Sequence, residues 1–144
     1  MSIHAFTDGA CRGNPGPGGW GCVIEQNGKI IKLNGFDSST TNNRMELQAA
    51  ISALEYLSSE RNFSITTDSQ YVRLCITQWI KNWEKNNWRT ANRQPVKNVD
   101  LWQKLQLLTE DKNIEWHWVK GHSGHPQNEM ADQLANIAID EGIV

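Results

Sequence analysis

Four acidic residues, Asp8, Glu46, Asp68 and Asp132, sit where this chain could do chemistry. Asp8 closes an apolar run, IHAFTD, and Asp68 closes a second β-like run, FSITTD. Glu46 lies in the first turn of a helix predicted over NNRMELQAAISALEYL. Asp132 lies near the start of a last helix, NEMADQLANIAI. Each falls at the end of a regular element, where a fold gathers side chains into a site. Together they would form an all-oxygen pocket suited to a hard divalent cation such as Mg2+. Their mutual repulsion should raise at least one carboxyl pKa in the metal-free protein.

Taken singly, each has an ordinary explanation. Asp8 could serve the glycine-rich turn that follows it. Glu46 could complete a capping box on Asn43. Asp68 could cap the helix after it. Asp132 could be a solvated acid favoured by the helix dipole. The elements that carry them decide whether they meet.

The spacing predicts a strand over Ile3–Asp8, then a loop, GACRGNPGPGGWG, then strands at about Gly21–Glu25 and Lys29–Asn34 joined by an Asn27-Gly28 turn. The polar stretch DSSTTNN leads to the first helix, with Leu47, Ala50, Ile51, Leu54 and Leu57 on its core face. Phe63–Asp68 is a fourth strand, which makes a βαβ unit and favours parallel pairing with the first. Residues 69–86 read as a helix, Trp88–Val96 as a loop or protruding arm, and Asp100 as the cap of a helix burying Leu101, Leu105 and Leu108. A fifth strand, Ile114–Val119, precedes the loop KGHSGHPQN and a last helix at about Asn128–Asp140. The fold class is thus α/β, with three antiparallel strands followed by two joined through helices. Parallel pairing would bring Asp8 and Asp68 to one sheet edge, the usual ligand position in such folds. Whether Glu46 reaches that edge stays open at this level, because its helix starts before the fourth strand.

A chain of 144 residues fits a single domain, here 1–144. No apolar run approaches the ~20 residues of a membrane span, and the N-terminus carries no secretory pattern. Three unpatterned cysteines, Cys11, Cys22 and Cys75, read as reduced thiols of a cytoplasmic protein, not as a disulfide or zinc framework. A monomer without a small-molecule cofactor is expected. The net charge of -2 hides an asymmetry. Residues 73–97 hold six basic residues against Glu84 alone, and Trp79, Trp83 and Trp88 lie among them. Such a split molecule can bind a polyanion on one face.

Read together, these stretches resemble bacterial type 1 ribonuclease H. The matching pieces are Thr7-Asp8-Gly9, the loop Gly13 to Gly21, Thr41 to Leu47, Thr67 to Val72, the arm from Trp79 to Trp102, Trp118 to His125, and Asn128-Glu129 through Asp132. They cover nearly the whole chain, in order. The resemblance implies a ribonuclease H-like fold, a five-stranded mixed sheet flanked by helices. It implies an endonuclease that hydrolyses the RNA strand of RNA–DNA hybrids with Mg2+ or Mn2+, leaving 5'-phosphate and 3'-hydroxyl ends. Two ions per site would bind the attacking water and the leaving oxygen.

Residue by residue, Asp8, Glu46, Asp68 and Asp132 match the family's metal-binding carboxylates. His122 matches its catalytic histidine, and an imidazole with a pKa near 6.5 can shuttle protons there. Cys11, Asn14, Asn43 and Gln70 would line the minor groove and meet the 2'-hydroxyls that mark RNA. Thr41, Arg44 and Asn98 match a pocket for a DNA-strand phosphate. Trp79, Trp83 and Lys85 match a basic protrusion, at about 79–97, that grips the DNA strand. Asn86-Asn87 stands where that arm is often more basic, which implies weaker, more salt-sensitive binding. Trp102, Trp116 and Trp118 are assigned to the core. The alternatives are a non-catalytic hybrid binder and another enzyme of the superfamily, such as a strand transferase or junction resolvase.

Overall fold

The structure is a computed structural model that describes residues 3–74, 76, 85, 97–119 and 126–143. Strands β1 (Ile3–Cys11), β2 (Gly16–Gln26) and β3 (Lys29–Thr40) form an antiparallel meander. Helix α1 (Asn42–Tyr56) leads to β4 (Asn62–Thr67). Helices α2 (Gln70–Leu74) and α3 (Val99–Thr109) precede β5 (Asn113–Trp118), and α4 (Pro126–Gly142) closes the fold. The sheet order is β3-β2-β1-β4-β5, with β4 parallel to both β1 and β5. This is the expected mixed sheet.

Its two faces are covered separately, as strand alternation requires. Ile3 and Ala5 of β1 and Cys22 and Ile24 of β2 pack under α1 and α3, against Leu47, Ile51, Leu54, Trp102 and Leu105. Phe6 and Val23 point the other way, against Ala131, Met130 and Leu134 of α4. The expected helix face holds, since Leu47, Ala50, Ile51, Leu54 and Leu57 are all buried. Full burial of each large apolar side chain contributes roughly 1.5–3 kcal/mol.

Several boundaries differ from the sequence reading. The glycine-rich segment is largely strand, because β1 runs past Asp8 to Cys11 and β2 starts at Gly16. Glycine and polar residues there are carried by the cross-strand ladder, which propensity does not see. Likewise β3 extends through the polar DSST stretch to Thr40. Thr41, not Asn43, caps α1, accepting a hydrogen bond from the Arg44 amide at 3.3 Å. Ser69, not Asp68, caps α2, with its Oγ accepting from the Val72 amide at 3.1 Å. Asn98 occupies the cap position of α3 in a left-handed conformation, φ 60, with Asp100 inside the first turn. Leu105 is buried there, while Leu101 and Leu108 are partly so. Trp102 is fully buried. Trp116 and Trp118 are only half-buried, since they lie on the edge strand β5. The greater part of the expected helix over 69–86, and most of the arm, lie outside the described residues.

Candidate metal centre and nucleic-acid cleft

The parallel ladder between β1 and β4 ends at the pair Thr7 and Thr67. Asp8 is the next residue of β1 and Asp68 the first residue beyond β4, so topology alone delivers two carboxylates to one point. Glu46 arrives by a different route. A Cβ on Gly9 would lie 2.4 Å from the Glu46 amide nitrogen and 2.5 Å from the Met45 carbonyl carbon. Only a glycine lets the first turn of α1 press onto β1 this closely. The Gly9 amide donates to Glu46 Oε1, and also to Asp8 Oδ1 at 2.9 Å. Glu46 is therefore tied to β1 and not to its own helix cap, which corrects the capping-box explanation.

Asp132 comes from the opposite face. Asp8 pairs in register with Gly21 of β2. A Cβ on Gly21 would sit 2.1 Å from the Ala131 carbonyl oxygen, and one on Gly19 would sit 2.5 Å from that of Ala135. The backbone of α4 rests directly on these glycines, with Ala131, Ala135 and Ala138 buried beneath it. That contact sets Asp132, the residue after Ala131, within hydrogen-bonding reach of Asp8.

One ligand atom from each of Asp8, Glu46 and Asp68 lies within 4.8 Å of the others. Asp8 is 9% and Glu46 6% exposed. Burial, then the charge of Asp68, pushes the Asp8 carboxyl up to about 7. Burial, then the charges of Asp8 and Asp68, pushes Glu46 well above the usual carboxylate range. In the absence of a cation, burial and the crowding of carboxylates favour the neutral forms of Asp8 and Glu46. Buried carboxylates this close are stable as anions only with a positive counter-charge. The donor set is all oxygen, so the residues fit a hard divalent cation and not zinc or copper.

The cluster sits in a cleft of about 560 Å³ whose walls include Cys11, Asn43, Gln70, Tyr71 and Asn136. Cys11, Asn43 and Gln70 thus line the same cleft as the carboxylates. Asn14 does not line the cleft; its Oδ1 accepts from the Asn42 amide in the first turn of α1 at 3.2 Å. Asn136 was not foreseen. It lies one turn after Asp132 and its Nδ2 donates to the Asp132 carbonyl at 3.0 Å, with a longer contact to Oδ1 at 3.4 Å. The i, i+4 spacing from Asp132 was the available signal. A second hollow, at the opposite end of the strands around Phe63 and Ile114, gathers no such acidic set.

Thr41, Arg44 and Asn98 also come together. The Arg44 Nη1 donates to Asn98 Oδ1 at 3.1 Å, and Asn98 Nδ2 donates to the Tyr71 hydroxyl at 3.0 Å. The Trp102 indole donates to the same hydroxyl at 3.0 Å. Asp100, read as a cap, instead forms a paired contact with Arg44. Lys85 is exposed. Trp79, Trp83 and His122 lie outside the described residues, and so does Cys75.

A mixed sheet with carboxylates gathered where its parallel strands end defines an α/β scaffold for a divalent-cation site. Comparison with known proteins places it further: residues 1–140 match the RNase H family model, and the chain belongs to that family. Ribonuclease H of Alcanivorax borkumensis is 60% identical over 97% of this chain and 93% of its own. Ribonuclease H of Methylococcus capsulatus is 56% identical over 97% of this chain and 90% of its own. Among solved structures, LC9-RNase H1, a type 1 RNase H with the type 2 active-site motif, superposes with TM-score 0.84 at 33% identity. It is matched over 96% of this chain and 72% of its own. LC11-RNase H1, solved in complex with RNA/DNA hybrid, gives TM-score 0.77 at 25% identity over 99% of this chain and 100% of its own. The protein is an enzyme, a ribonuclease H.

Proposed function

We propose that this enzyme hydrolyses the RNA strand of RNA–DNA hybrids, using Asp8, Glu46, Asp68 and Asp132 to hold two Mg2+ ions, with Mn2+ as a substitute. The observation that carries the reading is the convergence of three carboxylates within 4.8 Å in a cleft walled by neutral polar groups. When bound, the ion pair would supply charge stabilisation at the attacking and leaving oxygens of an in-line displacement, giving 5'-phosphate and 3'-hydroxyl ends. The protein's own part is positional. Gly9 and Gly21 set the carboxylates, whose deprotonated form the cations require. Cys11, Asn43 and Gln70 would meet the minor groove, where 2'-hydroxyls distinguish RNA from DNA. Thr41, Arg44 and Asn98 would take a DNA-strand phosphate and fix register without reading sequence. His122 would move a proton to or from water or the leaving 3'-oxygen. Trp79, Trp83 and Lys85 would hold the DNA strand from the basic arm.

The reading includes one catalytic domain over residues 1–144, acting as a cytoplasmic monomer. The free thiols of Cys11 and Cys22 support that compartment. No described helix is long and apolar enough to cross a membrane. The test is cleavage of labelled hybrid, duplex DNA and duplex RNA with Mg2+. Cleavage of the hybrid RNA alone, lost in Asp8→Asn, supports the reading; binding without cleavage of any substrate overturns it.

A further inference from the structure

The Arg44 guanidinium does not face the proposed DNA phosphate unaccompanied. Its Nη1 donates to Asp100 Oδ1 at 3.1 Å and its Nη2 to Asp100 Oδ2 at 2.8 Å, a two-pronged pair. That geometry is the one a phosphate would use, since Arg offers the same fork to carboxylate and phosphate. The pair is open to solvent, with the Arg44 side chain 33% and the Asp100 side chain 62% exposed. An exposed pair contributes little to stability, typically about 0–1 kcal/mol. Nor is Asp100 needed to aim Arg44. Asn98 already accepts from Nη1, and Asn98 is itself anchored through the Tyr71 hydroxyl, which the buried Trp102 also holds.

We propose that Asp100 is a built-in counter-ion that occupies the Arg44 fork and competes with the DNA-strand phosphate, setting hybrid affinity below what Arg44 and the N-terminus of α1 could reach. This rests on the reading of Thr41, Arg44 and Asn98 as a phosphate site. A phosphate must displace the carboxylate or share the guanidinium with it, and sharing places two anions a few ångströms apart. At solvent-like dielectric that repulsion is worth about a three- to tenfold change in affinity. The penalty falls on any DNA backbone, so it would act on hybrid and duplex DNA alike and lower the affinity for both without changing their ratio.

The experiment measures binding of labelled hybrid and duplex DNA, by anisotropy across a salt series, to full-length protein carrying Asp8→Asn so that nothing is cut. Asp100→Asn keeps the shape and removes the charge. It should bind both duplexes about three- to tenfold more tightly, with a salt slope steeper by about one. Arg44→Ala should weaken binding, and adding Asp100→Asn to it should recover only the part of the loss that is due to the carboxylate's own repulsion, leaving binding weaker than in Asp100→Asn alone. Equal or weaker binding by Asp100→Asn, in a variant whose Tm matches its parent, makes Asp100 a strut and overturns the proposal. If the Tm falls, Asp100→Ser decides by the same criterion. Unchanged binding by Arg44→Ala instead overturns the phosphate-site reading itself.

Discussion

Gly9 and Glu46 are in backbone contact, with room for no more than a hydrogen between the strand and the first turn of α1. This contact resolves how a helix that precedes β4 can deliver a carboxylate to the end of β4's parallel ladder. Gly9→Ala should therefore act on chemistry as well as on packing. Forcing a methyl into the contact destabilises by about 1–3 kcal/mol, and a displacement on the order of 1 Å at Glu46 lowers kcat by about 100-fold. Hybrid cleavage and thermal melts of the same preparation check both; near-normal turnover in Gly9→Ala would show that Glu46 need not sit against β1.

Gly21 makes the matching prediction on the other face. Gly21→Ala pushes α4 away from β2 and draws Asp132 away from Asp8, while Asp8, Glu46 and Asp68 stay together. Mg2+ affinity measured by calorimetry should survive in part, and kcat should fall by about 10-fold or more. Equal loss of metal binding in Gly9→Ala and Gly21→Ala would contradict this division of labour.

The raised carboxyl pKa values give a pH dependence with a definite sign. Asp8 rises from 3.8 to about 7 on folding, so the native state favours its neutral form. That contribution to stability is fully present below pH 3.8 and is lost as pH rises through about 7. The metal-free protein should melt at a lower temperature at pH 8 than at pH 5, apart from the opposite trend of ordinary paired acids. Mg2+ should stabilise it more at pH 8, with affinity rising up to about tenfold per pH unit for each proton released. Calorimetry with and without chelator, on wild type and Asp8→Asn, checks this. An Asp8→Asn variant with the same pH trend would remove Asp8 as its source.

Glu46→Gln separates stability from activity. It removes a buried carboxyl whose charged form is opposed by burial and by Asp8 and Asp68, and which must therefore take up a proton on folding at pH 8, and it preserves the shape that accepts from the Gly9 amide. At pH 8 without metal it should raise Tm, by roughly 2–8 °C if the gain is about 1 kcal/mol. Hybrid cleavage should fall by about 100-fold or more. A lower Tm together with lost activity would mean that Glu46 holds the fold and not the cation.

Much of this was legible in the sequence, and the exceptions have physical causes. The alternation in β1 and β4 and the helical spacing of Leu47, Ile51 and Leu54 gave the layers, because apolar periodicity reports burial directly. Asp8 and Asp68 were placed together by strand parallelism. Glu46 was not, because the deciding contact is a missing side chain at Gly9, and a glycine beside a turn reads as turn chemistry. The glycines of β2 misled for the same reason. They read as loop, whereas Gly19 and Gly21 are the flat surface on which α4 lies. In the sequence Asp100 reads as a cap, because an acid at a helix start usually is one; its partner Arg44 is 56 residues away, beyond the reach of any local pattern.

The central claim is that Asp8, Glu46, Asp68 and Asp132 form one site for two cations beside a bound hybrid. Anomalous diffraction from crystals of the unmutated protein with a non-hydrolysable hybrid and Mn2+ tests it most directly. The account predicts two Mn2+ peaks about 3.5–4 Å apart, ligated between them by Asp8, Glu46, Asp68 and Asp132 and flanking a phosphate of the RNA strand. Ordered hybrid with no metal at these carboxylates, or with its ions held elsewhere, would contradict it.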